Sequence, residues 1–374
     1  MRAFVFTDKA LDRYAGRFVW LAVDTEDAKN SKFLEKYPVR ALPTLFVIDP
    51  KRETAVVHYV GGATVPQLTK LLNDGENSYR AKSQSPADAL LASAEKLAGE
   101  GLNDESIKLY EQAIAKAPKS WPRLGRAAES YIAALAMKPD NTTCAEKAYA
   151  LYPRLKGTAS GAAVAWGGLS CAAEIQRPDL LKFLESATLE SFHDPNIVLS
   201  GDDRSGMYDA LVSAREAQKD DAGALKLKQE WIAFLEHEAA SAKTPEQRAV
   251  YDPHRLTLYI QLKTPEKAIP MLEQTVRDFP DDYNPHARLA AAYKAMKKYD
   301  EGLAEIDRAL AMSYGPRRIG QFRTKVDLQM AKGDKEGARK TLAEAIAYAK
   351  ALPSGQRSER TIAALEKKLG EVAQ

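Results

Sequence analysis

The 374-residue sequence predicts two unlike parts, a short incomplete α/β segment followed by an all-α array of stacked helical hairpins. Three observations carry this expectation. Residues 1–73 alternate compact apolar runs with stretches of helical spacing. Residues 74–85 are polar and carry glycine and serine, and from Pro86 onward alanine, leucine, lysine and glutamate dominate with almost no strand signal. Within that helical part side-chain size recurs. Tyr259, Ala268, Leu272 and Thr275 return 34 residues later as Tyr293, Gly302, Ile306 and Ala309, and the last three return after 36 more as Ala338, Leu342 and Ala345.

Each early element has its own signal. Phe18-Val19-Trp20-Leu21-Ala22-Val23-Asp24 is an apolar run with β-branched and aromatic residues and predicts a buried strand, which Asp24-Thr25-Glu26-Asp27 ends. Ala28 to Tyr37 places Phe33, Leu34 and Tyr37 at helical spacing, and Pro38 stops that helix because the residue before a proline disfavours helical angles. Leu45-Phe46-Val47-Ile48 predicts a second strand ending at Asp49-Pro50, and Thr54 to Val60 a third. Gly61-Gly62 then turns the chain into an amphipathic helix over Val65 to Leu72, and 74–85 reads as a linker.

Strand, Asp, helix, Tyr-Pro-Val, Pro-Thr, two strands, Gly and helix is the order in which thioredoxin domains finish. Residues 1–73 therefore resemble the later part of a thioredoxin-like domain of the thiol-disulfide interchange type, without Cys-x-x-Cys. Arg2 to Leu11 resembles the helix that follows the active-site cysteines in that family. The resemblance covers about a fifth of the chain and implies that Leu42, Pro43 and Thr44 form a client-binding loop around a cis-proline. It also implies that Met1 is an internal methionine, with a Cys-x-x-Cys and a central strand lying upstream. Removing that strand would leave a gap of about twice the ~4.8 Å strand spacing, or expose unpaired edges.

The 34-residue period, with small residues where helices would cross, resembles the tetratricopeptide repeat. The clearest unit, Tyr283 to Gly315, matches at Leu289, Ala290, Tyr293, Tyr299, Ala309 and Leu310, and departs at His286, Lys297 and Gly302. Gly333-Asp334 restores the interhelical turn in the next unit, and Gly101, Ser106, Tyr110, Ala113 and Pro118 mark an earlier one. Repeats are expected at about 87–120, 249–282, 283–315 and 319–350 within a helical domain 86–374. Between Trp121 and Ala240 the pattern weakens, though Arg204 to Glu238 reads as another helix pair, and Ala347 to Val372 is expected to supply a capping helix. One helical hairpin cannot bury its apolar face alone, so neighbours would stack into a right-handed superhelix with a concave face.

Composition narrows the function. The 54 Lys and Arg nearly balance 51 Asp and Glu, for a net charge of +3, which argues against electrostatic binding of nucleic acid. No apolar run is long enough for a membrane span. Location stays open; the thioredoxin resemblance alone implies an extracytoplasmic full-length form. His58, His193, His237, His254 and His286 are scattered, and none has a second ligand four residues on, so no metal or other cofactor is expected. Cys144 and Cys171 lie in alanine-rich helical sequence without a metal or redox spacing, which predicts packed small residues; a disulfide is open but unsupported by the sequence. Gly157 to Ala163 and Gly167-Gly168 carry no phosphate-binding lysine and predict close helix packing or a loop. Arg317, Arg318, Arg323 and Lys325 form a basic cluster, read either as a solvated helix start or as a site for an acidic peptide.

Tetratricopeptide arrays that bind chaperone C-termini grip a carboxylate with lysines and asparagines on the first helix of each repeat. The matching places here hold Leu91 and Glu95, Pro253 and Thr257, Ala287 and Ala291, and Arg323 and Asp327, so that clamp is missing. By family geometry the polar candidates on the groove are Asn284, Lys294, Arg323 and Asp327. Two functions are expected. The first is a non-enzymatic protein-interaction scaffold with a protein or peptide partner in the repeat groove. The second is a thiol-disulfide oxidoreductase whose cysteines lie upstream and whose array selects the client; the chain as given would be inactive in both cases.

Overall fold

The computed structural model describes residues 1, 3–39, 41–80 and 85–373. In chain order the elements are α1 (Ser31–Lys36), β1 (Thr44–Asp49), β2 (Thr54–Val60) and α2 (Val65–Arg80), then α3 (Pro86–Gly99), α4 (Asn103–Lys116), α5 (Leu124–Ala136), α6 (Asn141–Leu155), α7 (Ala159–Ala173) and α8 (Pro178–His193). They continue as α9 (Gly201–Ala217), α10 (Asp221–Ala240), α11 (Pro245–Ala249), α12 (Asp252–Gln261), α13 (Ala268–Asp278), α14 (Tyr283–Ala295), α15 (Tyr299–Met312), α16 (Arg318–Lys332), α17 (Lys335–Ala351) and α18 (Glu359–Ala373). By compactness the chain divides into unit 1, Met1–Phe18 with Val39–Trp231, and unit 2, Val19–Pro38 with Ile232–Gln374.

In unit 1, β1 and β2 form an antiparallel hairpin with Thr44 opposite Val60 and a bulge between Val47 and Ile48. One side of it closes over α2. Val57 and Tyr59 pack with Leu68, Leu71 and Leu72 of α2 and with Val5, Leu11 and Tyr14 of the amino-terminal turns. The Tyr14 hydroxyl donates to the Thr69 carbonyl at 3.1 Å and to Asn73 Oδ1 at 2.8 Å, so the buried ring ends on satisfied polar groups. Gly75 of α2 lets the helix approach β1, since a Cβ there would lie 2.7 Å from Val47 Cγ1.

Three expectations about this segment fail. The strand predicted over Phe18 to Asp24 does not form; Val19 is 88 % and Leu21 75 % exposed. A strand needs a ladder partner for its backbone groups, and the described residues offer only the β1–β2 pair. The amino-terminal helix reduces to a 3₁₀ turn over Lys9–Tyr14, with Arg2 outside the described residues. Finally, α2 runs to Arg80, so residues 74–80 of the expected linker are helical, while 81–84 lie outside the described residues. The physical reason is visible at Asp74. Its carboxylate faces Arg123 Nε at 3.3 Å and Arg126 at 3.5 Å, and this pairing keeps a polar residue inside the packing.

From Pro86 the chain is a succession of antiparallel helix pairs. Ser85 caps α3 by accepting from the Asp88 amide, with Pro86 at the first helical position, and Ser200 with Asp203 forms a capping box at α9. The weakly patterned stretch 121–240 also forms pairs, α5 with α6 and α7 with α8, and α10 meets α9 where the Trp231 indole donates to the Ser205 hydroxyl and Lys228 to Glu216. The residues singled out at helix crossings are buried throughout: Ser106, Tyr110 and Ala113, then Ala268, Leu272 and Thr275, then Ile306 and Ala309, then Ala338, Leu342 and Ala345. Gly302 allows α15 to touch α16, because a Cβ would sit 2.8 Å from Leu328 Cδ2. The glycine-rich α7 is close-packed, as its small residues imply; a Cβ on Gly168 would lie 2.2 Å from that of Ala148. The capping helix is α18, separated from α17 by the turn around Pro353 rather than continuous from Ala347.

Polar contacts repeat with the same period. Lys138 pairs with Asp104, Lys147 with Glu111, Arg177 with Glu146, Lys294 with Asp327 and Lys332 with Asp300, at separations of 31–36 residues. Each repeat thus reads its neighbour in charge as well as in shape, the nearest-neighbour logic of a solenoid. Cys144 of α6 and Cys171 of α7 are bonded to each other, with Cα atoms 6.1 Å apart. The expectation of merely packed cysteines is corrected here: antiparallel α6 and α7 bring the two positions face to face, a relation that 27 residues of sequence separation conceal.

Candidate functional site

The predicted loop around Pro43 forms the entry to β1. The Leu42–Pro43 bond is cis, Leu42 and Pro43 are exposed, the Thr44 hydroxyl donates to the Ala41 carbonyl at 2.6 Å, and the Gly61 amide donates to the Pro43 carbonyl at 2.9 Å. These bonds fix the loop against the end of β2. The cysteines of the chain do not join it, since both are buried in the α6–α7 disulfide.

Behind the hairpin unit 1 holds a buried ionic cluster that the sequence did not reveal. Arg126 of α5 reaches Glu95 of α3 at 2.9 Å, Arg123 reaches Asp88 at 2.7 Å, and the Trp121 indole donates to Asp88 at 2.8 Å. Glu95 is wholly buried, and burial pushes its carboxyl up to about 7 against the pull of Arg126. Nearby the Tyr59 hydroxyl donates to Glu129 of α5 at 2.8 Å, and burial holds the His58 imidazole down to about 4. Paired charges of this kind position α2, α3 and α5.

The four groove candidates all lie in unit 2, on two helices of successive repeats. Lys294 of α14 and Asp327 of α16 pair with each other at 2.9 Å. Arg323, one turn earlier on α16, is exposed and makes no ion pair among the described residues. Asn284 does not face a ligand freely: its amide side chain donates to Asp282 at 2.6 Å and its backbone N–H to the same oxygen at 2.9 Å, so it belongs to the α14 amino-terminal cap. The structure thus pairs two of the four with each other, leaves Arg323 exposed one turn away on α16, and assigns the fourth to a local task.

A different cluster in unit 2 went unforeseen. The segment Val19–Pro38 packs on the turns that open α14, α16 and α18. The Tyr283 hydroxyl, at the start of α14, donates to both oxygens of Glu26 at 3.2 and 3.1 Å, and Arg317, capping α16, reaches the same carboxylate at 3.1 Å. The Tyr314 hydroxyl donates to Asp24 Oδ2 at 2.6 Å, and Gln356 donates to the Thr25 carbonyl at 2.9 Å. Farther along, the Gly355 amide donates to the Ser31 hydroxyl at 3.3 Å and Ser354 bonds Glu35. Burial raises the Glu26 carboxyl, opposed by Tyr283 and Arg317; Tyr314 is pushed up to about 12 by its bond to Asp24. The basic residue that takes part, Arg317, belongs to the cluster noted in the sequence, so the signal was present, but its acidic counterpart lies some 290 residues away.

The tetratricopeptide repeat profile matches residues 259–326, the stretch from the end of α12 into α16, and helical repeats of that kind occupy it. No curated protein sequence matches the chain. Among solved structures, a tetratricopeptide repeat protein from Parabacteroides merdae is 11 % identical, covers 76 % of this chain and 98 % of its own, and has a TM-score of 0.47. The TPR2AB domain of yeast Sti1, solved as a pHSP90 complex, is 14 % identical with 77 % and 98 % covered and a TM-score of 0.30. A signal-transduction ATPase with a tetratricopeptide repeat sensor from Pyrococcus horikoshii is 16 % identical, with 81 % of this chain and 52 % of that one covered and a TM-score of 0.41. No helix among the described residues is long and apolar enough to cross a membrane.

Proposed function

We propose that this chain is a non-enzymatic protein-interaction scaffold, in which the helical domain 86–374 binds a protein or peptide segment across the first helices of its carboxy-terminal repeats. The observation that supports it most is the exposed Arg323 beside the Lys294–Asp327 pair on consecutive repeats, inside the stretch that matches the repeat family. Exposed charge held by a rigid helical frame is the arrangement that orients a partner and sets its rate of encounter. Panning a random peptide library on the intact protein tests the reading. Peptides selected on the wild type should lose most of their affinity for a Lys294→Glu/Arg323→Glu chain; selection of the same peptides with equal affinity by both would contradict it.

A second reading takes residues 1–73 as the later part of a thioredoxin-like domain, with Leu42, Pro43 and Thr44 as a client-binding loop. The hairpin β1–β2 followed by α2 supports it, being the expected order of elements, while the unformed strand at Phe18 to Asp24 weighs against it. On this reading a redox activity requires cysteines other than the buried Cys144–Cys171 pair. An extended cysteine-containing client peptide should then bind the wild type and fail to bind a Leu42→Asp/Thr44→Asp chain. The α6–α7 disulfide supports placing the chain in an oxidising compartment. Alkylation of cell extracts under non-reducing conditions, followed by intact mass, should find both cysteines unmodified there.

A further inference from the structure

The acidic segment Asp24-Thr25-Glu26-Asp27 is held by unit 2 in a manner unlike core packing. Five features of the contact bear on what it does. Its grip is made of donors from the repeat turns onto oxygens of the segment: two tyrosine hydroxyls and one guanidinium onto the carboxylates, and one amide onto a backbone carbonyl. The donors come from the starts of three alternate helices, α14, α16 and α18, where the peptide dipoles also favour negative charge. Room for the segment's backbone is cut by glycine. A Cβ on Gly315, whose φ is +58°, would lie 2.3 Å from the Glu26 carbonyl oxygen, and one on Gly355 would lie 2.2 Å from that of Ser31. The central carboxylate is shielded, with the Glu26 side chain 13 % exposed, whereas Asp24 and Tyr314 stand at the surface. Polar capacity is left over: the buried Gln356 Oε1 and the buried Ser313 hydroxyl have no partner among the described residues.

The segment itself contributes little that would make the contact permanent. Of residues 19–38 only Ser31, Leu34 and Tyr37 are buried, and the acidic stretch that touches Tyr283, Tyr314 and Arg317 carries no apolar anchor. Contacts of this composition open locally at a small fraction of the global unfolding free energy. A surface that reads two carboxylates two residues apart and the carbonyl between them is not specific to the covalently attached copy of that pattern.

From this we infer that the turns opening α14, α16 and α18 form a binding site for a short acidic peptide of the pattern Asp-x-Glu, occupied in cis by Asp24–Asp27, and that an acidic segment of a partner protein engages the array by displacing it. The inference rests on the reading of the array as a protein-binding scaffold and names a partner class for an edge of it distinct from the Lys294, Arg323 and Asp327 face. The tethered copy competes at an effective concentration on the order of millimolar, so the site is closed to weak ligands and open to tight or multivalent ones.

The test uses a fluorescein-labelled nine-residue peptide with the sequence of Val23 to Ser31 and the full chain. Binding is read by anisotropy on the wild type, on Asp24→Asn/Glu26→Gln, whose own segment is weakened, and on that double variant carrying Arg317→Glu. The peptide should bind the Asp24→Asn/Glu26→Gln chain at least about tenfold more tightly than the wild type, and the added Arg317→Glu should abolish the gain. A Tyr283→Phe/Tyr314→Phe chain, which removes two hydroxyls and leaves the rings, should open the cis contact without creating a tight peptide site, and circular dichroism should show it folded. Failure of the peptide to bind the opened chain, or binding that Arg317→Glu leaves unchanged, overturns the inference. Either failure leaves the library experiment on Lys294 and Arg323 unaffected, because those side chains make none of these contacts.

Discussion

The first 80 residues are held in two opposite ways. Residues 39–80, in unit 1, are fastened by burial: Val57, Tyr59, Leu68, Leu71 and Leu72 close a core with the amino-terminal turns, and Asp74, Glu95, Arg123 and Arg126 lock the helix behind it. Residues 19–38, in unit 2, are fastened by polar atoms on cleared glycine backbone, with Val19 and Leu21 left in solvent. Neighbouring stretches of one chain therefore differ in what their attachment costs to break. The buried stretch is expected to open only with its unit, and the polar one to open alone.

The largest effect expected from this contrast is on the ionic cluster. Arg126→Met strands the buried Glu95 and part of the Asp74 pairing and should destabilise unit 1 by about 3–5 kcal/mol, read as a shift in urea midpoint. Next comes the hairpin core. Leu71→Ala should cost about 2–4 kcal/mol through lost burial and the cavity left behind, with hydrogen exchange rising across 54–80 and unchanged across 23–31.

A pH series sharpens the same comparison. His58 is held neutral by burial, with a folded value of about 4 against an unfolded value near 6.5. A depressed folded value means that the fold is fully supported above about pH 6.5 and loses support as the pH falls toward 4, by at most about 1.4 kcal/mol per pH unit. The stability gap between His58→Phe and the wild type should therefore widen in favour of the variant between pH 6.5 and 4, and stay flat between 7 and 8. The smallest effect is on the polar segment. Glu26→Gln removes a carboxylate from Tyr283 and Arg317 and should lower global stability by less than about 1 kcal/mol while raising exchange at 23–31 severalfold.

How far the sequence foretold this depends on the range of the interactions. The repeats at 259–350 were legible because their crossings are made by small residues at a fixed period, and Ala268, Gly302, Ala309 and Ala338 are where helices meet. The pairs α5 to α8 were not, because a helix such as α7, with buried Gly161, Ala162, Val164, Ala165, Gly168, Leu169, Cys171 and Ala172, is packed on several sides and shows no single apolar stripe. The apolar run at Phe18 to Val23 had strand composition but lacked a partner, and composition cannot supply one. At the candidate sites, Lys294 and Asp327 are paired with each other across successive repeats, whereas Asn284 went to a cap that competes locally for its amide. The grip of Tyr283, Tyr314 and Gln356 on Asp24 to Glu26 spans 257 to 331 residues and leaves no local trace.

Native-state hydrogen exchange followed by mass spectrometry, comparing peptides over 23–31 and 65–80 in the wild type and in Arg126→Met, tests the central contrast most directly. The account predicts fast exchange by local opening at 23–31 that Arg126→Met leaves unchanged, and slow exchange at 65–80 that it accelerates. Equal protection of the two stretches, rising and falling together in the variant, would contradict it.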